Sequence, residues 1–401
     1  MPERGLGLAP VETPVIGVVG AGQLARMMQQ AAIALDVPLR LLAEAADSSA
    51  ARVITDVQVG DYTDLRTLRS WAAGCSVVTF DHEHVPTGHL EALGAAGIAC
   101  HPGPKALVHA QDKVVMREQL TALGVPCPRF AVVTTADDID RFAAEVGYPV
   151  VLKTARGGYD GKGVWVLGES AEATSVLADV QGHVAAGIRI LVEERVDFIR
   201  ELSALAVRSQ SGQVATYPVV ESVQQEGICV EVVAPAPGLD PALSVEAQRL
   251  SMRVVSELEV VGVLAVELFE TTDGRVLVNE LAMRPHNTGH WTIDGAVTSQ
   301  FENHLRAVLD LPLGATEARA PWTVMVNILG GGVPTLFDGY PHVQARDPRA
   351  RVHLYGKEVK PGRKVGHVTT YGDDLDDALH RARHAAHWFQ GTIDDEEGGH
   401  D

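Results

Sequence analysis

The chain has 401 residues, enough for roughly two to three domains, and its 46% hydrophobic and 21% charged content is ordinary for a globular protein. Its formal net charge of −19 argues against nucleic acid or anionic membranes as partners, because both require a basic surface, but a few cations in a cleft suffice for a phosphate ligand. Four scattered cysteines, a polar start without a signal-peptide pattern and the lack of any apolar run of about 18 residues predict a cytoplasmic protein without a transmembrane helix.

The first part of the chain alternates short apolar runs with helical stretches. Residues 15–20 are rich in β-branched side chains and end at glycine, and residues 23–34 have a helical pattern. Residues 39–43 and 77–80 predict further buried strands. This alternation predicts a parallel sheet with helices on both faces, ending near the Pro- and Gly-containing segment 101–104.

The rest of the chain predicts a mixture of elements with a second linker at 311–314. A Gly-rich loop lies at 156–163, and the acidic tail 394–401 has a disordered composition. The remaining predicted elements are a helix at 106–123, strands at 150–153, 190–194 and 202–207, a hairpin at 263–281, a helix at 300–309, one strand at 323–329, a basic loop at 355–364 and a helix at 374–388.

The first candidate site is the segment Gly20-Ala-Gly22-Gln-Leu-Ala25. It fits G-x-G-x-x-G/A between a strand and a helix, and Glu44 follows the second strand where a ribose-binding acid would lie. Taken alone, the motif suggests a dinucleotide-binding oxidoreductase. The alternative is a tight strand–helix turn that binds another anion or nothing.

A pair of glutamates in the predicted hairpin is a stronger signal. Asp273-Gly274 is a typical two-residue hairpin turn, which would pair Thr272 with Arg275. Because paired positions keep a constant sum, Glu267 then lies opposite Glu280, with Cβ atoms about 4.5–5.5 Å apart. The same alternation places Ala265 and Val278 on the face of the glutamates.

Two opposed like charges among apolar neighbours require a shared proton, a nearby base or a divalent cation. The oxygens of Glu267 and Glu280, with the adjacent Asn279 amide, suit Mg²⁺ held jointly with nucleotide phosphates. The alternative is an exposed hairpin face with ordinary solvated glutamates.

Candidate phosphate-binding groups lie around the Gly-rich loop. Lys153 ends a strand and is followed by 156–163, whose glycines allow backbone N–H groups to fold around phosphate oxygens. The spacing is not that of a Walker A loop, and a flexible turn is the alternative. Further on, the strand 190–196 runs into polar residues that could meet an adenine ring, and Glu201 could accept ribose hydroxyls.

A strand lysine, a Gly-rich loop, a Val-Glu strand and a Glu…Asn-Glu hairpin in this order resemble the ATP-grasp superfamily. Longer motifs look like the 5-(carboxyamino)imidazole ribonucleotide synthetases, the ATPase subunit of phosphoribosylaminoimidazole carboxylase. The resemblance covers about residues 15–390. Its motifs are Thr79-Phe-Asp-His-Glu-His-Val-Pro86, Gly157-Gly-Tyr-Asp-Gly161, Val278-Asn-Glu-Leu-Ala-Met-Arg-Pro-His-Asn-Thr-Gly-His-Trp-Thr-Ile-Asp294, Thr298-Ser-Gln-Phe-Glu-Asn-His304 and Tyr355-Gly-Lys-Glu-Val-Lys-Pro-Gly-Arg-Lys-Val-Gly-His367.

The resemblance implies an α/β, ATP-grasp fold with an N-terminal Rossmann-like (pre-ATP-grasp) domain and a small C-terminal domain. It implies the ATP-dependent carboxylation of aminoimidazole ribonucleotide by bicarbonate, through carboxyphosphate, in purine biosynthesis. ATP and Mg²⁺, for which Mn²⁺ can substitute, would be the cofactors, and a homodimer would pass its product to a separate mutase. The implied domains are an extension at 1–14, the N-terminal domain at 15–105, the ATP-grasp domain at 106–314 with a lid at about 130–207, and the C-terminal domain at 315–401.

The resemblance also implies residue roles. Glu267 and Glu280 would bind the metal. The catalytic residues would be Tyr159, Asp160, Arg284 and His286. ATP would be bound by Lys113, Lys153, Gly158, Tyr159, Asp160, Gly161, Lys162, Gly163, Glu193, Glu194, Arg195, Val196, Glu201, Asn279 and Glu280. The ribonucleotide would be bound by Gly22, Gln23, Tyr159, Asp160, Arg284, His286, Lys357, Arg363 and Lys364.

Three other functions stay open at this point. Another ATP-grasp ligase, such as the formate-dependent glycinamide ribonucleotide transformylase, would share the fold. An NAD(P)-dependent oxidoreductase would depend on Gly20, Gly22 and Glu44 and would leave the paired glutamates unexplained. A nucleotide-binding regulator would bind ATP without turnover.

Overall fold

The computed structural model of the protein describes residues 13–158 and 163–393. The strands of these residues form one sheet of nine strands and two sheets of four. In the same residues, no helix is long and apolar enough to cross a membrane. The predicted acidic tail 394–401 lies outside the described residues.

The N-terminal sheet is parallel, as the alternating sequence pattern predicts, with its first strand in the interior. The predicted strands at 15–20, 39–43 and 77–80 and the helix at 23–34 are confirmed. The elements are β1 (Ile16–Val19), α1 (Gln23–Ala34), β2 (Leu39–Ala43), β3 (Asp56–Val59), α2 (Leu65–Ala72), β4 (Val77–Phe80) and α3 (Thr87–Ala95), with the strands in the order β3-β2-β1-β4. The pattern missed β3 because this edge strand is mostly exposed and partly polar.

The single helix predicted at 106–123 is wrong. Two helices occupy this region, α4 (Pro104–Gln111) and α5 (Lys113–Ala122), separated by Asp112 in an extended conformation. The Asp112 carboxylate accepts hydrogen bonds from Val114 N and Val115 N, so it caps α5. A cap inside an apparently continuous helical pattern therefore ends one helix and begins the next.

A small antiparallel sheet follows and carries the Gly-rich loop. Its elements are β5 (Phe130–Val133), α6 (Ala136–Val146), β6 (Val150–Thr154), β7 (Val164–Leu167), α7 (Ala173–Ala185) and β8 (Ile190–Glu194). The strand order is β5-β8-β6-β7, so the Gly-rich loop joins the neighbours β6 and β7. Ile139, Phe142 and Leu152 pack between this sheet and its helices. The strands that flank the loop therefore belong to a packed unit.

The nine-stranded sheet begins with β9 and continues into the C-terminal part of the chain. Its order is β14-β13-β9-β11-β12-β15-β17-β16, with β10 paired to β9. The sequence predicted one strand after residue 314, and three are present in the described residues. The elements are β9 (Phe198–Arg208), β10 (Val214–Thr216), β11 (Val220–Gln225), β12 (Ile228–Ala234), α8 (Pro241–Glu257), β13 (Gly262–Thr271), β14 (Val276–Ala282), α9 (Thr292–Gly295), α10 (Gln300–Val308), β15 (Trp322–Leu329), α11 (Tyr340–Arg346), β16 (Arg351–Leu354), β17 (Lys364–Gly372) and α12 (Leu375–Gln390).

A buried histidine on α10 fixes the N-terminal domain to the large sheet. Val263 N donates to His304 Nδ1 over 3.1 Å, so the ring hydrogen is on Nε2, which donates to Thr79 Oγ1 over 2.8 Å. Burial lowers the pKa of His304 to about 3, so the ring is neutral. Phe301 and Leu305 on the same helix pack into the core beneath β1. These contacts therefore hold the N-terminal domain against the large sheet.

Candidate functional site

The glycine turn after β1 is filled by the acidic side chain that directly follows β4. Gly22 N donates to Asp81 Oδ2 over 2.9 Å, and Ala25 N donates to Asp81 Oδ1 over 2.7 Å. The carboxylate thus occupies the N-terminus of α1, where the motif would place a dinucleotide pyrophosphate. Glu44, the expected ribose-binding acid, lies 3.4 Å from His82. The dinucleotide interpretation of this motif is therefore wrong. The structure fits the alternative of a tight strand–helix turn that binds another anion, which is the Asp81 carboxylate.

Replacing Gly22 by alanine is expected to destabilise the N-terminal domain by about 2–4 kcal/mol. The new Cβ would lie 2.3 Å from Asp81 Oδ2, so the carboxylate would lose its hydrogen bonds to the turn. Gly94→Ala is the matched control, because a Cβ at this position in α3 meets nothing within 4 Å. Urea and thermal unfolding measure both variants. A Gly22→Ala protein as stable as the Gly94→Ala protein would contradict this role of Asp81.

The two hairpin glutamates are opposed, as the sequence predicted, but by a different route. Thr271 N donates to Arg275 O, so the loop has three residues and the predicted two-residue turn is wrong. The pairs next to the loop are shifted by one position, and a bulge between Glu267 and Leu268 restores the register. Glu267 therefore pairs with Glu280 because two deviations compensate.

The bulge changes which side chains face the cleft. Val278 pairs with Leu268, so the prediction that Val278 shares the face of the glutamates is wrong. Asn279 is the extra residue, and both it and Glu280 reach lysines of the cleft. Lys153 Nζ donates to Asn279 Oδ1 over 3.3 Å, and Lys113 Nζ donates to Glu280 Oε1. The bulge thus directs two adjacent oxygen donors into one site.

Nearby cations offset the repulsion between the carboxylates. His286 Nε2 lies 3.1 Å from Glu267 Oε1. Burial alone would raise the pKa of Glu267, but the His286 hydrogen bond and the charges of Lys113 and Arg284 lower it. Glu201, also close by, has its pKa raised to about 7 by burial and by the charge of Glu267. Glu267 is therefore ionised at neutral pH.

These donors fit a magnesium ion that is shared with a ligand. Among the described residues, no group of three or more His, Cys, Asp and Glu side chains could hold a metal by itself. The protein supplies oxygen donors from Glu267, Glu280 and the Asn279 amide, which are too few to complete the coordination shell of Mg²⁺. Mg²⁺ commonly completes its shell with water and phosphate oxygens. The site therefore matches a metal that arrives with a nucleotide.

A buried carboxylate aligns the second lysine. Glu193 lies 2.7 Å from Lys153 Nζ and 2.6 Å from Arg117 Nε. Burial alone would raise the pKa of Glu193, but these two cations lower it to about 2. Burial and the charges of Lys153 and Arg117 lower the pKa of Lys113 to about 8. Lys113 thus faces one end of the cleft together with the carboxylate hairpin, and Lys153 contacts Asn279 of that hairpin.

The opposite end of the cleft joins the C-terminal loop to the glycine turn. Lys357 Nζ donates to Gln23 Oε1, and the pKa of Lys357 is lowered to about 8 by burial. Arg284 Nε lies 3.4 Å from Glu83 Oε2, whose second oxygen accepts from Met283 N over 2.6 Å. Residues from three parts of the sequence therefore meet here.

A cavity of about 630 Å³ connects the two ends. It contains many of the residues that the sequence singled out. These are Gly22, Gln23, Lys113, Gly158, Glu267, Glu280, Arg284, His286, Lys357, Arg363 and Lys364. The lining of the cavity does not include Lys153, Gly163, Glu193, Glu194, Arg195, Val196, Glu201 and Asn279. Tyr159, Asp160, Gly161 and Lys162 lie outside the described residues.

In the segment 193–196, which the sequence predicted to bind adenine, the two glutamate side chains contact other parts of the protein. Glu193 is only 2% exposed and binds two cations, as described above. Glu194 Oε1 accepts from Arg129 N over 2.9 Å. Arg195 and Val196 lie in the connection between β8 and β9. The side chains of Glu193 and Glu194 are therefore engaged within the protein.

Sequence reasoning missed several site residues. Asp81 and Glu83 follow β4, and acidic residues directly after a parallel strand were the available signal, because ligands bind at the carboxyl ends of such strands. Arg156 lines the cavity and pairs with Asp112 over 2.9 Å. Arg117 carried no local signal, since its partners lie far along the chain.

Three family models match the chain in order. The ribonucleotide synthetase preATP-grasp domain matches residues 14–111 and the ATP-grasp domain matches residues 118–301. The phosphoribosylaminoimidazole carboxylase C-terminal domain matches residues 323–381. Fold and site together define an ATP-grasp ligase with a preATP-grasp domain.

A relative of known name identifies the family within the ATP-grasp ligases. The N5-carboxyaminoimidazole ribonucleotide synthase of Mycobacterium tuberculosis is 56% identical over 379 residues, which cover 94% of this chain and 88% of that protein. The chain belongs to the N5-carboxyaminoimidazole ribonucleotide synthase family.

Two crystal structures of this family share the fold. N5-carboxyaminoimidazole ribonucleotide synthetase from Thermus thermophilus has a TM-score of 0.82 and 39% identity over 92% of this chain and 98% of that chain. N5-carboxyaminoimidazole synthase from Aspergillus clavatus, in complex with ADP and 5-aminoimidazole ribonucleotide, has a TM-score of 0.85 and 31% identity over 94% of this chain and 98% of that chain.

Proposed function

We propose that this chain catalyses the ATP-dependent carboxylation of 5-aminoimidazole ribonucleotide by bicarbonate in purine biosynthesis, with release of ADP and phosphate. The supporting observation is one cavity that has cationic side chains at both ends. One end has the carboxylate hairpin and Lys113, and the other has Lys357 and Arg363 on the C-terminal loop. Lys153 contacts Asn279 of the same hairpin. Such a cleft suits one nucleoside triphosphate and one phosphorylated substrate.

Lys113 and Lys153 bind the phosphates of ATP in this proposal. Both are held by carboxylates, Lys113 by Glu280 and Lys153 by Glu193, so their ammonium groups are positioned before the nucleotide arrives. The backbone of 193–196 meets adenine, and Glu201 accepts from the ribose. The glycines of 157–163 cover the phosphates and exclude water.

Glu267 and Glu280, with the Asn279 amide, hold Mg²⁺, which would neutralise charge on the transferring phosphoryl group. Mn²⁺ can take its place. His286 keeps Glu267 oriented through the 3.1 Å contact described above. The ionised state of Glu267 favours metal binding without release of a proton.

The ribonucleotide occupies the end formed by Gly22, Gln23 and the C-terminal loop. Lys357 and Arg363 bind its 5′-phosphate, with Lys364 nearby, because ammonium and guanidinium groups pair well with phosphate oxygens. Arg284, which is paired with Glu83, lines the same cavity. The exocyclic amine thereby points towards the phosphoryl-transfer end.

Bicarbonate requires activation because it is a poor electrophile. An oxygen of bicarbonate attacks the γ-phosphorus of ATP, ADP leaves, and carboxyphosphate forms. The amine nitrogen then bonds to the carboxyl carbon, phosphate leaves, and the amine loses one proton. Arg284 and His286 stabilise the anionic intermediate, and Tyr159 and Asp160 orient the amine or accept its proton in this proposal.

The expected domain division and partners belong to the same proposal. The N-terminal domain spans 15–105, the ATP-grasp domain 106–314 and the C-terminal domain 315–401, with a lid at about 130–207. The small sheet of β5 to β8 supports a lid that ends with β8, because the next strand, β9, pairs with β13 of the nine-stranded sheet. We also propose a cytoplasmic homodimer that passes its product to a separate mutase.

ADP release by the purified protein tests the function. ATP and Mg²⁺ are supplied, and aminoimidazole ribonucleotide and labelled bicarbonate are left out one at a time. Fast ADP release only with the ribonucleotide, and label in an acid-labile product, are the expected results. A response to glycinamide ribonucleotide and formate instead would reject the substrate assignment and leave the ligase class intact.

A further inference from the structure

Arg117 on α5 is a fully buried cation that does not line the cavity. Its side chain is only 1% exposed. The guanidinium Nε lies 2.6 Å from Glu193 Oε1, and Nη1 donates to Val278 O over 3.1 Å. One planar group thus contacts both the small lid sheet and the carboxylate hairpin.

The contact with Val278 stabilises the bulge of the hairpin. A β-bulge interrupts the ladder, so backbone groups next to it need other partners. Val278 N donates to Pro126 O over 2.8 Å, and Val278 O accepts from Arg117. Val278 directly precedes Asn279 and Glu280. Arg117 therefore fixes the strand at the point where these two side chains turn towards the cleft.

The contact with Glu193 aligns a phosphate-binding lysine. Glu193 Oε2 binds Lys153 Nζ over 2.7 Å, and the same ammonium donates to Asn279 Oδ1 over 3.3 Å. Arg117, Glu193, Lys153 and the 278–279 segment form a closed ring of contacts. The ring links α5, β8, β6 and β14, and therefore connects the lid sheet to the large sheet.

We infer that Arg117 is a positioning residue for the nucleotide and metal end of the site. It acts through Glu193 on Lys153 and through the Val278 carbonyl on Asn279 and Glu280. This inference builds on the proposed function, because it assigns the role of a residue behind that site. A guanidinium suits the position because its fork reaches a carboxylate and a carbonyl together, and a lysine ammonium is a single compact charge.

Arg117→Lys tests the inference because it keeps the buried charge but cannot make both contacts. The dissociation constant of Mg-ATP and the Mg²⁺ concentration at half-maximal activity are expected to rise about 10-fold, as is typical for loss of a supporting contact. The KM for the ribonucleotide is expected to stay within about 2-fold, since the other end of the cavity is untouched. Calorimetry with Mg-ATP alone gives the dissociation constant without any carboxylation.

Arg381→Lys is the matched control. Arg381 on α12 is also largely buried, with contacts to Asp347, Asp377 and the Tyr371 carbonyl. This variant is expected to lower the melting temperature without a change in Mg-ATP affinity. A second variant, Glu193→Gln, weakens the same ring from its centre and is expected to reproduce the Arg117→Lys pattern.

The outcomes are distinct. Arg117→Lys and Glu193→Gln proteins that lose thermal stability but bind Mg-ATP like the wild type would overturn the inference, since the ring would then be structural only. Equal losses for ATP and the ribonucleotide would also overturn it. Wild-type protein that binds Mg-ATP but does not respond to the ribonucleotide would reject the proposed substrate, and the calorimetric comparison of variants would still decide the role of Arg117.

Discussion

Glu280→Gln is expected to lower ATP turnover by at least about 10²–10³-fold, comparable to the removal of one group that stabilises transition-state charge. Glu280 is one of two opposed carboxylates, and the bulge directs it towards Lys113. The amide keeps the size of the side chain but loses the charge that a divalent cation needs. ADP release at saturating ribonucleotide measures the loss, and a raised Mg²⁺ requirement would accompany it.

Glu270→Gln is the matched control for this experiment. Glu270 lies on the same hairpin, is only 8% exposed and pairs with Arg200, but it does not line the cavity. Arg200 keeps a second carboxylate partner, Glu221, at 3.0 Å. This variant is expected to lose stability and to retain turnover. Near-wild-type activity of the Glu280→Gln protein would contradict the assignment of the metal site to the hairpin.

The opposed glutamates were predictable, whereas the hairpin geometry was not. The sequence suggested a two-residue turn, but Thr271 Oγ1 hydrogen-bonds to Asp273 and to Arg275 N, and these side-chain contacts favour a three-residue loop. A bulge at Asn279 then restores the register. The metal hypothesis used only the pairing of Glu267 with Glu280, and that pairing is correct because the longer loop and the bulge compensate each other.

Local patterns also predicted the strands and the helix of the N-terminal sheet, because apolar periodicity is a local property. The glycine motif shows the limit of such patterns. Its turn is present, but Asp81, 59 residues away from Gly22, fills the anion position. A pattern of glycines cannot specify which anion binds.

Long-range partners account for most of what the sequence could not provide. Arg117 contacts Glu193, 76 residues away, and Val278, 161 residues away. No spacing rule relates such positions, since the fold alone brings them together. Glu193 was consequently expected at the adenine site, and its side chain instead holds Lys153.

The pH dependence of ribonucleotide binding is expected to depend on Lys357. Burial lowers the pKa of this half-buried ammonium to about 8. The charges of Arg363 and Lys364 also lower this pKa, and the charge of Asp81 raises it. A phosphate dianion binds the charged form, so binding favours proton uptake and affinity falls as pH rises above about 8. The phosphate itself is fully ionised there, because its second pKa is about 6. The KM for the ribonucleotide should therefore rise between pH 8 and 9.5.

Substitution of Lys357 separates charge from contact. Lys357→Ala should raise the KM for the ribonucleotide about 10–100-fold at pH 7.5, the usual effect of losing a hydrogen bond between charged groups. Lys357→Arg should bind with moderate affinity but without the rise in KM at alkaline pH, because a guanidinium stays protonated up to about pH 12. Steady-state measurements at saturating ATP give both profiles. An unchanged KM in Lys357→Ala, or an alkaline rise that persists in Lys357→Arg, would place the 5′-phosphate elsewhere in the cavity, since only the titration of Lys357 itself is removed by that exchange.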